Sequence, residues 1–191
     1  MGSSRPARTL IAATSTVALA VFGGAAPAMA DRYIPPPVDR AVISLVPDSG
    51  WNGSTRTCVD VYQGSRQDFA PIIQFDCHFG DNQRWRLEAM AAKNTFILRS
   101  MYSGDCLEVL DYSTNYGAWT DQYPCYANHD VGTNQQWVMD WDDQNGRARF
   151  KNVHSGLCLS VDGLGTANGT RIVQNACYDW AANEKWDPVY S

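Results

Sequence analysis

Three short segments share one alternation of apolar and polar positions: Val59-Asp60-Val61, Leu107-Glu108-Val109 and Leu159-Ser160-Val161, each beginning just after a cysteine. A period of two predicts strands with one buried face, the middle residue pointing away from the apolar pair. Turn signals are dense between such segments. They fall at Asn52-Gly53, at Asn145-Gly146 between Val138-Met139-Asp140-Trp141 and Arg149-Phe150, and from Gly163 to Gly169. No long helical period interrupts them, so the chain reads as all-β.

The six cysteines form three couples, Cys58 with Cys77, Cys106 with Cys125 and Cys158 with Cys177, the members of each 19 residues apart and the first members 48 and 52 residues from one another. That spacing marks a threefold internal repeat. Ser103-Gly104-Asp105-Cys106-Leu107 is matched by Ser155-Gly156-Leu157-Cys158-Leu159. After the second cysteines come Asn82-Gln83-Arg84-Trp85, Asn134-Gln135-Gln136-Trp137 and Asn183-Glu184-Lys185-Trp186. Six cysteines allow fifteen pairings, and equal spacing makes three local bridges the simplest. In an oxidising compartment each would close a loop of about twenty residues, worth roughly 3 kcal/mol in the chain-entropy account. Zinc fits poorly, because there is no C-x-x-C couple and the three histidines are scattered. Units of about fifty residues that cannot bury their apolar faces alone predict a closed arrangement of strands.

Composition narrows the picture. The 191 residues are 45% hydrophobic and 18% charged, a globular mixture for one domain or two small ones. Fifteen Lys and Arg against twenty Asp and Glu give a net charge of −5, which removes the electrostatic source of a sequence-independent grip on nucleic acid. Seven Trp, nine Tyr and six Phe imply either an aromatic-rich core or exposed stacking surfaces. Residues 1–30 carry Arg5 and Arg8, an apolar and small-residue run from Leu10 to Ala26, and Ala28-Met29-Ala30. This is the pattern of a secretory signal peptide. A membrane anchor is the poorer reading, since Thr14-Ser15-Thr16 and Gly23-Gly24 interrupt the run. Cleavage after Ala30 leaves 161 residues with 13 basic and 20 acidic side chains, net −7, secreted and without a membrane span. Residues 31–41, with Pro35-Pro36-Pro37, read as an extended lead-in with little to pack. Residues 42–191 hold the repeats, at about 42–90, 94–141 and 147–190.

On the Cys-x-Asp-Val segment, the second cysteine and the closing Gln-x-Trp, the chain resembles the ricin-type β-trefoil lectins, over about residues 42–190. The third repeat departs from the motif, with Glu184 where Gln is usual. The resemblance implies a β-trefoil of pseudo-threefold symmetry, with up to three shallow sugar pockets. Trp85, Trp137 and Trp186 are expected to pack in the shared core rather than to bind. A sugar pocket needs a carboxylate for hydroxyls, an aromatic face for the apolar side of the ring and an amide that fixes orientation. Carried over residue by residue, the first repeat supplies Asp60, Phe75 and Asn82 with Gln83 beside it, while Ile73 stands where many members have a polar residue. The second supplies Glu108, one methylene longer than the usual Asp, with Tyr123, Asp121, Asn134 and Gln135. The third has Ser160 in the acid position and Asn175 in the aromatic one, so it is expected to be structural.

Other chemistry is set aside. Asp140-Trp141-Asp142-Asp143 looks like a metal cluster, but Asn145 falls where a calcium loop needs glycine, and a solvated turn accounts for the charges. Asn52-Gly53-Ser54 and Asn168-Gly169-Thr170 are glycosylation sequons that read more simply as turns. There is no Gly-x-Ser-x-Gly elbow, the cysteines are paired off, and His78, His129 and His154 lie among turn residues. The expectation is a non-catalytic, cofactor-free lectin of galactose-type sugars on glycans or glycoconjugates. The alternative is a trefoil whose third repeat contacts a secreted protein partner, as in a toxin accessory subunit.

Overall fold

Alternating segments become thirteen strands among the described residues of the computed structural model, which are 35–52, 55–125 and 132–190. The first repeat contributes β1 (Val42–Pro47), the stub β2 (Trp51–Asn52), β3 (Thr55–Val61), β4 (Ala70–Asp76) and β5 (Trp85–Ala89). The second contributes β6 (Thr95–Ser100), β7 (Cys106–Val109), β8 (Thr120–Tyr123) and β9 (Trp137–Asp142). The third contributes β10 (Arg147–Asn152), β11 (Cys158–Val161), β12 (Ile172–Asn175) and β13 (Trp186–Tyr190). The secretory segment proposed for residues 1–30, the start of the lead-in, Gly53-Ser54 and His129 fall outside the described residues.

Six strands close on themselves by antiparallel pairing in the order β1, β5, β6, β9, β10, β13 and back to β1. Closure removes the sheet edges that a single repeat would leave open. The remaining hairpins, β3–β4, β7–β8 and β11–β12, cap this barrel in one register: Cys58 pairs with Phe75, Cys106 with Tyr123 and Cys158 with Asn175. The fold is a β-trefoil.

The repeated tryptophans explain why the three units need one another. Trp85, Trp137 and Trp186 have no solvent exposure and lie in one apolar cluster with Ile43, Leu45, Leu98 and Phe150. A buried indole must place its N–H. Each Nε1 donates to a carbonyl of the strand after its own first cysteine, Val59 at 3.2 Å, Leu107 at 3.1 Å and Leu159 at 3.3 Å. The three disulfides are local, Cys58–Cys77, Cys106–Cys125 and Cys158–Cys177, with Cα separations of 5.0, 5.2 and 5.2 Å.

A second triad, unremarked in the sequence, ties the repeats in a ring. Gln74, Gln122 and Gln174 occupy one position of the three cap hairpins and are fully buried. Gln74 Nε2 donates to the carbonyls of Gly165 and Ala167, Gln122 Nε2 to those of Ser65 and Gln67, and Gln174 Nε2 to those of Ser113 and Asn115. Their Oε1 atoms accept from Thr57, Ser103 and Ser155. Each repeat thus satisfies loop carbonyls of another, and the buried amides find their acceptors there.

The end of the lead-in packs more than its composition suggests. Pro37 is buried, Arg40 N donates to the Leu87 carbonyl at 2.7 Å and Asp39 Oδ1 accepts from Ala89 N at 2.9 Å, so the segment is stitched along β5. In the β9–β10 turn, Asp142 accepts from the amides of Gln144 and Asn145, which accounts for one carboxylate of the acidic run.

Candidate functional site

Asp60 lies at the next-to-last position of β3 opposite Ile73, on the face that alternation turns away from Val59 and Val61. It is nevertheless only 3% exposed, because the 3-10 turn Asp81–Gln83 packs against β3. Its Oδ2 accepts from Gln83 Nε2 at 2.7 Å and Asn82 Nδ2 at 3.0 Å, and His78 Nε2 stands 3.6 Å away. Among the described residues no donor bonds Oδ1. Burial pushes the carboxyl above its ordinary range, while Gln83, Asn82 and His78 pull it back.

Gln83 itself is fully enclosed. Nε2 donates to Asp60 and to the Asp76 carbonyl, and Oε1 accepts from the amides of His78 and Phe79 at 2.8 and 3.0 Å. That uses its full hydrogen-bonding capacity, so Gln83 holds the carboxylate and the His78–Gly80 loop rather than facing a ligand. Asn82 keeps one N–H and its oxygen free of Asp60. Phe75 is the register partner of disulfide-bonded Cys58, so its backbone is pinned while the residue stays 42% exposed.

These groups line a cleft of about 690 Å³. Asp60, Ile73, Phe75, His78 and Asn82 share it with Tyr62, Gln63 and Gly64 from the turn after β3. Tyr102 comes from the loop after β6, and Asn168 with Gly169 from the third repeat. Asn168 is fixed there, its Oδ1 accepting from Asp76 N at 2.9 Å. The motif position after the second cysteine could have singled out His78. Tyr102 and Asn168 left no such signal, since they reach the first repeat from other repeats.

The second repeat gathers its acids differently. Gln135 Nε2 donates to Glu108 Oε2 at 2.7 Å, as Gln83 does to Asp60. Asn134 Nδ2 donates to the Val109 carbonyl, and Tyr123 rests against Phe69 with ring centroids 4.7 Å apart. Asp121 faces Glu108 across the hairpin, both at most 5% exposed, and both oxygens of Asp121 are buried without a hydrogen bond. Burial, then Glu108 and Asp111, push the Asp121 carboxyl up to about 8. Burial raises Glu108 as well. In the third repeat Asn183 Nδ2 donates to Ser160 Oγ at 2.8 Å, and Glu184 accepts from Tyr178 N at 2.8 Å. Glu184 thereby keeps the acceptor half of the Gln83 role where there is no acid to receive the donor half.

A closed trefoil with an acid, an amide and an exposed ring in one cleft is the architecture of a carbohydrate-binding module. Residues 52–186 match the ricin-type beta-trefoil lectin domain, and the chain belongs to that family. It is similar to the designed 3-fold symmetric protein ThreeFoil, at 31% identity and a TM-score of 0.68, over 78% of this chain and 97% of that one. It is similar to 1,3Gal43A, an exo-beta-1,3-galactanase from Clostridium thermocellum, at 26% identity and a TM-score of 0.70, over 83% of this chain but 31% of the enzyme. The earthworm R-type lectin C-half, solved with GalNAc, shares the fold at 13% identity and a TM-score of 0.57, over 79% of this chain and 99% of that one. A comparison with curated proteins finds no match.

Proposed function

We propose that this chain is a secreted, non-catalytic lectin that engages exposed galactose-type sugar residues through its first repeat. The observation that carries this reading is the Asp60 carboxylate, held on one oxygen by Asn82 and Gln83 and lining a cleft beside the exposed ring of Phe75. A carboxylate fixed from behind can accept hydrogen bonds from two adjacent hydroxyls without reorganising, and the ring covers the apolar C–H face of the sugar. Asn82 sets which hydroxyls meet the acid. The galactose preference rests on the family resemblance, and one structural neighbour is itself a galactanase. Three disulfides and the composition of residues 1–30 support export.

In this reading the second repeat is the weaker site, formed by Glu108 with Tyr123 and Asn134, Gln135 holding the acid as Gln83 holds Asp60, and the third is structural. Shallow single sites bind weakly, so avidity comes from a second working site or a multivalent glycan. A second reading has one observation of its own: in the third repeat Trp180 is 75% exposed and stacked on Tyr178, with centroids 5.2 Å apart, an aromatic surface suited to a protein partner. A glycan array probed with the mature protein, Asp60→Ala and Glu108→Ala decides between them. The lectin reading expects galactosides to be retained by the parent and lost with Asp60→Ala. No glycan retained, with capture of a secreted protein that free sugar does not displace, would establish the second reading instead.

A further inference from the structure

We propose that the first-repeat cleft reads two sugar rings, the second one seated over Gly64 between Gln63 and Tyr102, so that the preferred ligand is a disaccharide unit rather than a lone terminal residue. This rests on the lectin reading above. The cleft's volume of about 690 Å³ falls in the ordinary range of small-molecule sites, and its lining runs from Asp60 and Phe75 to Gly64 and Tyr102.

Comparison with the second repeat shows a difference at one position of the turn after the cap strand. Gly64, Tyr112 and Leu164 are equivalent, each six residues after the first cysteine of its repeat, and all three have left-handed backbone, φ 57°, 51° and 59°. In the second repeat the Tyr112 ring fills this position and meets His154 edge-on, with centroids 5.3 Å apart. Tyr102 is the counterpart of His154, since both precede a matching Ser-Gly-x-Cys. In the first repeat the position therefore has no side chain, and a Cβ built on Gly64 would reach only to 3.9 Å from the Tyr102 ring. Where Tyr112 stands against His154, Gly64 carries no side chain and lies within contact reach of Tyr102, so the two together form a bare floor that lines the cleft.

The groups around this floor suit a sugar ring. The Arg66 guanidinium lies 4.3 Å from the Tyr102 centroid, which holds that ring by one face and leaves the rest to the cleft. Gln63 is itself left-handed, φ 55°, where the third repeat has Gly163 at φ 56°. A side chain kept in that conformation costs stability that glycine would save, and here it brings an amide to the cleft. An aromatic edge and an amide beside an uncovered floor are what an adjoining ring requires.

The test is calorimetric titration of the mature protein with methyl β-galactoside and with a panel of β-linked galactobioses differing in linkage. The expected result is that at least one disaccharide binds about tenfold more tightly than the monosaccharide, the worth of covering roughly 50 Å² of C–H surface. Tyr102→Ala, and separately Gly64→Tyr, which copies the second repeat at a backbone angle Tyr112 already adopts, should erase that gain, bringing the disaccharide-to-monosaccharide affinity ratio down to about one. Asp60→Ala should abolish both. Disaccharides no tighter than the monosaccharide, or a gain that survives Tyr102→Ala and Gly64→Tyr, would overturn the two-ring site while leaving the lectin reading standing. Absence of binding to every galactoside, or binding that Asp60→Ala leaves intact, would overturn both.

Discussion

Gln83 Nε2 lies 2.7 Å from Asp60 Oδ2, and Gln135 Nε2 lies the same distance from Glu108 Oε2. Where the third repeat has lost the acid, at Ser160, it has also exchanged the Gln for Glu184. The closing-motif amide is therefore coupled to the acid it faces. Gln83→Glu should place two carboxylates in one enclosed space, destabilise the fold by roughly 2–4 kcal/mol at neutral pH and abolish sugar binding. Adding Asp60→Ser, the third repeat's combination, should restore most of the stability and none of the binding. Thermal melts of the single and double variants beside glycan binding check this; additive losses would show that the two positions are independent.

Asp121 offers a stability test with a definite sign. Its folded carboxyl titrates near 8 against an ordinary value of 3.8, so the folded state keeps a proton that the unfolded chain releases. The stability that this proton confers is complete below about pH 4 and is lost as pH rises through about 8. The equivalent positions are Ile73 and Val173, both buried. Asp121→Val should therefore stabilise the protein by roughly 1–3 kcal/mol, most at the alkaline end, and flatten the decline between about pH 5 and pH 8. Denaturant midpoints across that range measure it, and an unchanged slope would assign the pH dependence elsewhere.

The Gln74, Gln122 and Gln174 ring should be cooperative. Gln122→Ala strands two loop carbonyls and the Ser103 hydroxyl, a cost of roughly 1–3 kcal/mol. Gln74→Ala should cost as much and also weaken sugar binding, because the loop it anchors carries Asn168 into the first-repeat cleft. Hydrogen exchange at residues 165–170 should rise in Gln74→Ala, and at residues 65–69 in Gln122→Ala.

Phe75 separates binding from folding. The residue is 42% exposed, so Phe75→Asn, which copies Asn175, should lower galactoside affinity about tenfold or more while moving stability by less than about 1 kcal/mol. Phe75→Trp should retain binding. Equal affinity for Phe75→Asn and the parent would remove the ring from the site.

What was legible in the sequence was what repeats. Equal cysteine spacing carried the local bridges, the Val-x-Val and Leu-x-Val alternation carried the cap strands, and the acid, ring and amide of the first repeat do share one cleft. Gln74, Gln122 and Gln174 also repeat, but a buried glutamine reveals its purpose only when the carbonyls it satisfies are known, and those lie 55 to 93 residues away. The sequence offers Asp121 as a further acceptor two positions before Tyr123; that the same position is Ile73 and Val173 in the other repeats, both buried, shows that it is a buried slot. Gln83 read as a contact because it adjoins Asn82, whereas its enclosure comes from the turn that folds it inward. Tyr102 gives no signal and Asn168 reads only as part of a turn, since the cap brings both to the first-repeat cleft across repeat boundaries.

The pairing of β1 with β13 joins residues 43–47 to residues 186–190. A ribosome delivers the first repeat early, but its barrel strand has no lasting neighbour on one side, and its cleft lacks the Asn168 wall, until the final segment has emerged. Premature termination anywhere in the third repeat should accordingly yield a chain with every first-repeat binding residue present and no sugar affinity, held open for chaperones or proteases to find.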